Sequence, residues 1–241
     1  MVNEANIFNR AELLLGSDGM HKIAAAKVLV VGVGGVGSWC AESLIRTGIQ
    51  HLTIIDSDIV CTTNINRQLM ATTQTVGQVK VEALKKRLLQ INPQAEINAI
   101  QMVYNEEIAH EFNLSDFGYV VDAIDSLKDK ALLILNTCAS EAKLYSSMGA
   151  ALKLDPSRIK TAEFWKVTGD PLAKALRNRF KKSGEFPKKK FKCVYSDELL
   201  RNLQEGNGAE ESAKRVNGSL SHITAIFGFT LAGLVINDII K

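Results

Sequence analysis

A glycine-rich turn is the first feature of the sequence that could do chemistry. The apolar run 27–31 is followed by Gly32, Gly34 and Gly37 with the spacing G-x-G-x-x-G. Glycine adopts positive φ and lets a ligand approach the backbone, and a helix that begins at such a turn offers free N–H groups and a partial positive charge. The spacing alone fits either a tight structural turn or a site for nucleotide phosphates.

A second set of polar residues favours a nucleotide that is cleaved. Asp56 lies about twenty residues beyond the glycines, where a carboxylate can accept hydrogen bonds from a ribose. Hydride transfer leaves a dinucleotide intact, whereas an arginine, a lysine and a metal-binding carboxylate would stabilise a breaking phosphoanhydride. Taken singly, Asp58 and Asn64 could be turn residues, and the basic residues could be surface charges. Their occurrence together favours adenylyl transfer from ATP; the set is Asp56, Asp58, Asn64, Arg67, Lys80 and Asp125.

The composition is that of a folded chain with moderate charge. Its 241 residues are 46% hydrophobic and carry a net charge of +3, which suits one large domain or one domain with an extension. The four cysteines are widely separated and form no C-x-x-C pair, so neither a zinc site nor a disulfide framework is indicated. The first ten residues include polar and charged residues where a signal peptide needs an apolar run, and we expect a cytoplasmic protein.

Apolar segments of two periodicities alternate along the first two thirds of the chain. The predicted strands are 27–31, 51–56, 96–102, 119–124 and 143–148, and the predicted helices are 39–47, 79–91 and 128–141. This alternation predicts an α/β fold with a doubly wound, mostly parallel sheet of the Rossmann-like type. Ligands of such a sheet bind beyond the carboxyl ends of the strands.

The regular alternation of strand and helix patterns becomes less clear after residue 156. We expect a single domain over 1–241, with a basic, partly mobile insertion or extension at 161–215 and a C-terminal core helix region at 216–241. Segment 223–240 is apolar enough to raise the question of a membrane span, which requires about twenty such residues. Polar residues such as Asn237 would be poorly placed in lipid, so a core helix is favoured over membrane association and no stable membrane insertion is expected.

The motifs together resemble those of the ThiF/MoeB/ubiquitin-activating superfamily of adenylating enzymes. The resemblance covers residues 7–155 and rests on five elements: G-x-G-G-x-G from Gly32 to Gly37, D-x-D at Asp56–Asp58, N-x-N-R-Q at Asn64–Gln68, Lys80, and D-x-x-D-S at Asp122–Ser126. It implies a site for ATP and Mg²⁺. Arg10 matches an arginine that, in bacterial relatives, reaches into the partner subunit's ATP site, and this implies a homodimer.

The same resemblance implies a role for each residue. Asp56 would hold the ribose and Asp125 would bind Mg²⁺, while Asp122 is a weaker metal candidate because it could cap the turn. The remaining residues implied to bind ATP are Gly32, Gly34, Gly35, Gly37, Asp58, Asn64, Arg67 and Lys80, the last three at the triphosphate. The implied catalytic residues are Arg10, Arg67, Lys80 and Asp125.

The second half of the chain narrows the resemblance to the tRNA threonylcarbamoyladenosine dehydratase branch. Segments 154–159, 168–173, 193–198 and 215–219 are similar to that branch. The resemblance implies that ATP drives cyclisation of the threonylcarbamoyl group on the adenosine beside the anticodon of a tRNA, through an acyl-adenylate. Ala150-Ala151 stands where the branch more often has glycine or asparagine. If this loop contacts the acceptor substrate, that substrate could differ from the one of the family.

Three other functions are alternatives. The first is an adenylating enzyme for a ubiquitin-like sulfur-carrier protein, although the paired zinc ligands that such enzymes often carry are missing. The second is an NAD-dependent oxidoreductase, but such an enzyme would have no evident use for Arg67, Lys80 and Asp125. The third is a non-catalytic nucleotide sensor or scaffold. Whether a sulfur-transfer partner protein associates with the dimer is also open.

A basic run between Lys174 and Lys192 is opposed by a single acidic residue, Glu185. It could be a solvated face, but a tRNA substrate favours contacts with phosphates; the residues predicted to bind RNA are Lys188, Lys189, Lys190 and Lys192. Cys193 follows directly, and basic neighbours can activate a thiol. It could be a nucleophile that forms a thioester, but internal cyclisation requires none, which favours a spectator role.

Overall fold

One sheet organises the fold. The computed structural model describes residues 7–204 and 217–241, which contain seven strands and six α-helices. The strands are β1 Lys27–Val31, β2 His51–Ile55, β3 Glu96–Ile100, β4 Tyr119–Asp122, β5 Lys143–Ser147, β6 Ile159–Glu163 and β7 Lys192–Ser196. The helices are α1 Asn9–Ala25, α2 Gly37–Thr47, α3 Lys80–Ile91, α4 Leu127–Ala139, α5 Pro171–Ser183 and α6 Ser221–Ile239.

The strand order places a ligand crevice beside β1. The order is β3-β2-β1-β4-β5-β7-β6, and every neighbouring pair is parallel except β6 with β7. The chain builds outward from β1 to β3 and then returns to place β4 on the other side of β1. A crevice opens at the carboxyl ends of the strands where the winding reverses. The predicted doubly wound α/β fold is confirmed.

Apolar residues on both faces of the sheet explain the strand sequences. In β1, residues 28–31 are all buried. One face of the sheet packs against α2, α3 and α6, and the other packs against α4 and α5. Because helices cover both faces, the central strands appear in the sequence as continuous apolar runs.

Helix α6 lies directly against α2. A methyl group on Gly228 would approach the carbonyl oxygen of Val36 to 2.5 Å, so this glycine permits the close contact between the helices. Ile223, Phe227 and Leu231 are fully buried in the same layer. Among the described residues, α6 is long and apolar enough to cross a membrane, but half of the apolar window is buried inside the protein.

The basic stretch after residue 156 differs from our expectation of an insertion or extension. Within its described part, 161–204, β7 pairs with β5 in the middle of the sheet and β6 forms the edge. The expectation is therefore wrong for 161–204, whereas 205–215 lie outside the described residues. The lysines on the exposed side of α5 concealed the apolar stripe of Ala173, Leu176 and Phe180.

Candidate active site

The glycine turn joins β1 to α2 at the carboxyl edge of the sheet. Gly32 has φ +86°, and a side chain there would lie 2.7 Å from the carbonyl oxygen of Ala123. A side chain on Gly37 would lie 1.8 Å from the carbonyl oxygen of Gly32. Packing alone therefore requires both glycines, because each brings two backbone segments into contact.

The middle of the turn has room and donors for a ligand. A side chain on Gly34 would meet only the amide nitrogen of Gln68, at 3.7 Å, among the described atoms. The backbone N–H groups of Gly34, Gly35 and Val36 have no hydrogen-bond acceptor in the part of the chain that the structure describes. They stand at the N-terminus of α2, where the helix dipole favours negative charge, and this arrangement suits a phosphate.

Asp56 fastens the turn to the end of β2. Its carboxylate accepts the backbone N–H of Val33 at 2.8 Å through Oδ2 and that of Asp58 at 2.9 Å through Oδ1. Burial raises the pKa of Asp56, although these two hydrogen bonds and the nearby Lys80 oppose the shift. Each carboxylate oxygen has a second lone pair. Asp56 can therefore hold the turn and still accept hydrogen bonds from a ribose.

Lys80 and Asp58 form an ion pair beside Asp56. The Nζ–Oδ2 distance is 2.8 Å, and the lysine side chain is buried while the aspartate is exposed. The backbone N–H of Lys80 also donates to the carbonyl oxygen of Asp58 at 3.0 Å. An ammonium group carries three donors, so Lys80 can bind a phosphate oxygen without losing this pair.

Arg67 is held over a tight turn by its own neighbours. Its Nη1 donates to the carbonyl oxygen of Thr63 at 2.8 Å and to Oδ1 of Asn66 at 2.9 Å. The indole N–H of Trp39 donates to the carbonyl oxygen of Arg67 at 3.1 Å, which fixes this turn against α2. Asn64 is buried, and its Oδ1 accepts the backbone N–H of Cys61 at 3.1 Å. The turn role anticipated for Asn64 is thus present, and only its amide NH₂ group is free to meet a ligand.

Gln68 is a site residue that our residue-by-residue prediction left out. It is buried beside Gly34, and its Oε1 has no hydrogen-bond partner in the described structure. A buried amide oxygen without a donor is costly, and a ribose hydroxyl could supply that donor, whereas Nε2 of Gln68, which lies beside Gly34, could donate to a phosphate oxygen. Its signal in the sequence is the last position of the N-x-N-R-Q motif.

Asp125 stands on a braced turn after β4. It is exposed at the carboxyl edge of the sheet and has no ion pair within the described chain. Asp122, by contrast, is fully buried: its Oδ2 lies 2.9 Å from Nζ of Lys130 and accepts the hydroxyl of Ser146 at 2.6 Å. Its Oδ1 accepts the N–H of Ile124 at 3.1 Å, so Asp122 caps the turn, as one of our two interpretations predicted.

A buried polar network shapes the loop after β5, which contains Ala150-Ala151. Asp170 accepts the backbone N–H of Gly149 at 3.1 Å and that of Ala173 at 2.8 Å. Nζ of Lys153 donates to the carbonyl oxygen of Glu198 at 2.7 Å. Burial raises the pKa of Asp170 and lowers that of Lys153. The sequence did not predict this network, because its members are distant along the chain and each is a charged residue of a type that is usually exposed.

Comparison with known proteins agrees with this geometry. The model of the ThiF family matches residues 8–241. The chain belongs to the ThiF family.

Several similar proteins match it over nearly their full length. The tRNA threonylcarbamoyladenosine dehydratase of Bacillus subtilis is 37% identical over 97% of this chain and 94% of its own length. The crystal structure of the Escherichia coli tRNA N6-threonylcarbamoyladenosine dehydratase in complex with ATP superposes with a TM-score of 0.85, at 34% identity over 96% of this chain and 93% of that one. Its complex with AMP gives a TM-score of 0.86 with the same identity and coverage.

Not all predicted residues of this ThiF family member converge. Arg10 is exposed in the first turn of α1, and nearby Phe8 lies beside Gly48 at the carboxyl end of α2, before the start of β2. Lys192 begins β7, and Lys188–Lys190 precede it. Because β7 runs parallel to β5, these lysines lie at the amino edge of the sheet, opposite the glycine turn. The structure does not test their contact with RNA, but it separates them from the nucleotide site.

The structure argues against Cys193 as a nucleophile. Its side chain is fully buried in β7, next to the buried pair of Asp122 and Lys130. Burial raises the pKa of Cys193 well above its ordinary value. A thiol with neither access nor thiolate character is unsuited to form a thioester, and the spectator interpretation is the one that fits.

Proposed function

We propose that this ThiF family member is an ATP-dependent tRNA-modifying enzyme that cyclises N6-threonylcarbamoyladenosine beside the anticodon. The observation that carries the proposal is the convergence of the glycine-turn N–H donors, Asp56, Lys80 and Asp125 at one edge of the sheet. The proposal is supported by similarity over nearly the full length to proteins named tRNA threonylcarbamoyladenosine dehydratase, including structures with ATP and with AMP.

The first step would be adenylation of the threonylcarbamoyl carboxylate. A carboxylate oxygen of the modified nucleoside attacks the α-phosphorus of ATP, and the bond to the bridging oxygen breaks so that pyrophosphate leaves. The N–H donors at the start of α2 hold phosphate oxygens, and Arg67 and Lys80 neutralise the charge that develops on the leaving group. Asp56 keeps the ribose in place. The product is an acyl-adenylate.

The second step would close the ring without a protein nucleophile. The ureido nitrogen attacks the activated carbonyl carbon, loses its proton, and AMP departs with the electron pair of the C–O bond. The two reacting groups belong to one molecule, and such reactions reach high effective molarities. The buried state of Cys193 agrees with this route, because no thioester is needed.

A magnesium ion fits the site as a partner of the phosphates. The described residues contain no cluster of three or more carboxylate, histidine or cysteine side chains that could hold a metal alone. Mg²⁺ is commonly held by one or two carboxylates together with substrate phosphates. Asp125 is suited to this role because it is exposed and unpaired in the described chain, whereas Asp122 is committed to Lys130. When bound, the ion would neutralise charge on the departing pyrophosphate.

We also propose a homodimer in which Arg10 serves the partner's site. Support comes from α1, where Leu13 and Leu14 are 81% and 83% exposed on the same helix, an apolar surface that a second subunit could cover. Mixing Arg10→Ala and Asp125→Ala proteins checks this arrangement. Shared sites would recover part of the activity in the mixture, whereas two strictly separate sites would leave it inactive.

The test of function measures AMP and nucleoside together. The protein is incubated with labelled ATP and tRNA that carries threonylcarbamoyladenosine, and we expect one AMP for each cyclised nucleoside. Asp125→Ala should abolish both products, whereas Asp129→Ala, a matched carboxylate in the first turn of α4, should retain them. AMP formation that depends on a carrier protein with a Gly-Gly tail and not on tRNA would establish the sulfur-carrier alternative instead.

A further inference from the structure

Two exposed aromatic side chains stand at the amino edge of the sheet. Trp165 follows β6 and is 40% exposed, and Phe186 follows α5 and is 50% exposed. Their ring centroids are 6.1 Å apart with an interplanar angle of 41°. We call these rings and the lysines next to them along the chain the aromatic-basic surface, whose lysines are Lys166, Lys181, Lys182 and Lys188.

The rings rest on a rigid base. Phe164 is fully buried, stacks on Phe191 with centroids 4.9 Å apart, and meets Phe180 edge to face at 5.9 Å. Trp165 packs edge to face on Phe164 at 5.1 Å, and its backbone N–H donates to the carboxylate of Glu163 at 3.2 Å. Trp165 is therefore held in place before any ligand arrives, so that little conformational entropy is lost on binding.

The charge around the rings is mainly positive. Glu163 and Glu185 are the carboxylates beside the rings along the chain, and none of the four lysines of the aromatic-basic surface forms an ion pair within the described chain. Beside it, a cavity of about 550 Å³ is lined by Lys143, Lys189, Lys190 and Lys192 together with the carboxylates Glu141, Glu163 and Asp238. Lys143 is paired with Asp238 and Lys189 with Glu141, which leaves Lys190 and Lys192 without an ion pair in the described chain. Exposed rings among lysines suit a polyanion with flat bases, because bases stack on aromatic faces and lysines neutralise phosphates.

The surface is too far from the nucleotide site to serve the chemistry directly. Antiparallel pairing sets Glu163, at the end of β6, opposite Lys192 at the start of β7. A five-residue strand spans about 17 Å, and the ATP site lies beyond its other end. An extended RNA can contact both edges at once, whereas the modified nucleoside itself can occupy only the carboxyl edge.

We propose that the aromatic-basic surface binds a part of the tRNA away from the modified nucleoside. Trp165 and Phe186 stack on unpaired bases there, and the lysines contact the phosphates beside them. This inference rests on the proposed function, because it assigns a second contact to the same substrate. It also gives Lys188, one of the lysines predicted to bind RNA, a role that is compatible with its distance from the glycine turn.

The experiment separates stacking from apolar packing and from charge. Binding of full-length tRNA that carries threonylcarbamoyladenosine is measured for Trp165→Leu, which keeps an apolar side chain, and Trp165→Phe, which keeps a ring. We expect Kd to rise about tenfold for the leucine variant, within the range known for base stacking, and less than about threefold for the phenylalanine variant. The kcat for AMP formation at saturating tRNA should not change, because the surface touches neither ATP nor the reacting groups.

The lysines are tested through the salt dependence of binding. Replacing Lys181, Lys182 and Lys188 together with glutamine should reduce the slope of log K against log salt by about 2, since each lost phosphate contact contributes about 0.7 to 0.9. The control is Lys85→Gln with Lys86→Gln on α3, for which we expect an unchanged slope.

The outcomes distinguish this inference from the proposed function. The proposed RNA contact is contradicted if the Trp165→Leu and the lysine variants both keep the wild-type affinity and salt slope. Normal AMP formation in the same variants would leave the proposed function unaffected. Equal losses in the leucine and phenylalanine variants, with melting temperatures like that of the wild type, would show that a ring at this position does not contribute to binding and would overturn the stacking contact. A wild-type protein that forms no AMP with modified tRNA would defeat the proposed function and, with it, this inference.

Discussion

Replacement of Lys130 with methionine should destabilise the protein more than any loss of a surface charge. Asp122 and Lys130 are both 0% exposed and 2.9 Å apart. Methionine has a similar length but no charge, so the carboxylate of Asp122 would stay buried without a cation. The same change removes the hydrogen bond from Nζ of Lys130 to the carbonyl oxygen of Ile124 at 2.9 Å.

The magnitude follows from the burial of the pair. Removing one partner of a buried ion pair costs about 3–5 kcal/mol, because the remaining charge is uncompensated. For a domain of this length, 1 kcal/mol corresponds to about 2–4 °C in Tm. We therefore expect Tm to fall by about 6–20 °C. The matched control is Lys128→Met on the same helix, because its ion pair with Glu106 at 3.2 Å is exposed and should contribute about 0–1 kcal/mol.

The consequence for activity comes from the turn that the pair braces. Asp122 binds the N–H of Ile124, and Lys130 binds its carbonyl oxygen, so both backbone polar groups of the residue that precedes Asp125 are held. ATP-pyrophosphate exchange by Lys130→Met, measured well below its Tm, should be at least about tenfold lower than in the wild type, a size typical of misplaced catalytic groups.

Urea unfolding and calorimetry measure the stability of both variants. The double variant Asp122→Leu, Lys130→Met removes both charges and should be more stable than Lys130→Met alone, because no buried charge is left unpaired. The reasoning is refuted by a loss below about 1 kcal/mol in Lys130→Met, or by equal losses in the Lys128 and Lys130 variants.

Three further outcomes can be checked with simple measurements. Gly37→Ala should prevent stable folding, which thermal melting would show, since its methyl group would lie 1.8 Å from a carbonyl oxygen. Gly34→Ala should fold normally and lose ATP affinity. Burial opposes ionisation of Glu42, but its two arginine partners outweigh this effect and lower its pKa. The stability advantage of wild type over Glu42→Gln in urea should be full at pH 7, begin to fall near the ordinary glutamate pKa of about 4.3, and be lost as the pH drops through the lowered pKa of the folded state. A thiol reagent should label Cys61 alone in the native protein, because the other three cysteines, Cys193 included, are buried.

Each of these measurements has an outcome that contradicts it. Equal melting temperatures for the two glycine variants would mean that the turn is looser than its backbone contacts require. A stability difference for Glu42→Gln that does not depend on pH would exclude its charge as the cause. Rapid labelling of a second thiol that disappears in Cys193→Ser would return that cysteine to the list of candidate nucleophiles.

The nucleotide site could be predicted because parallel strands impose a simple rule. Gly32 and Asp125 each follow a predicted strand and Asp56 ends one, and the carboxyl ends of such strands meet at one edge of the sheet. The strand pattern alone therefore predicts that these three residues lie close together. Gln68 and the network of Asp170 with Lys153 were harder to predict, because their roles depend on burial and on neighbours that are remote in sequence.

The sequence by itself determined the α/β class and the resemblance to the dehydratase branch, and it predicted which residues would form an ATP site, since spacing along strands and turns carries that information. Only the tertiary structure decided that 161–204 belongs to the sheet, that Cys193 is inaccessible, and that the lysines before β7 face away from the ATP site. The physical reason is the same in each case. Burial and the edge on which a residue falls depend on strand order and on pairing between distant segments, which local periodicity does not record.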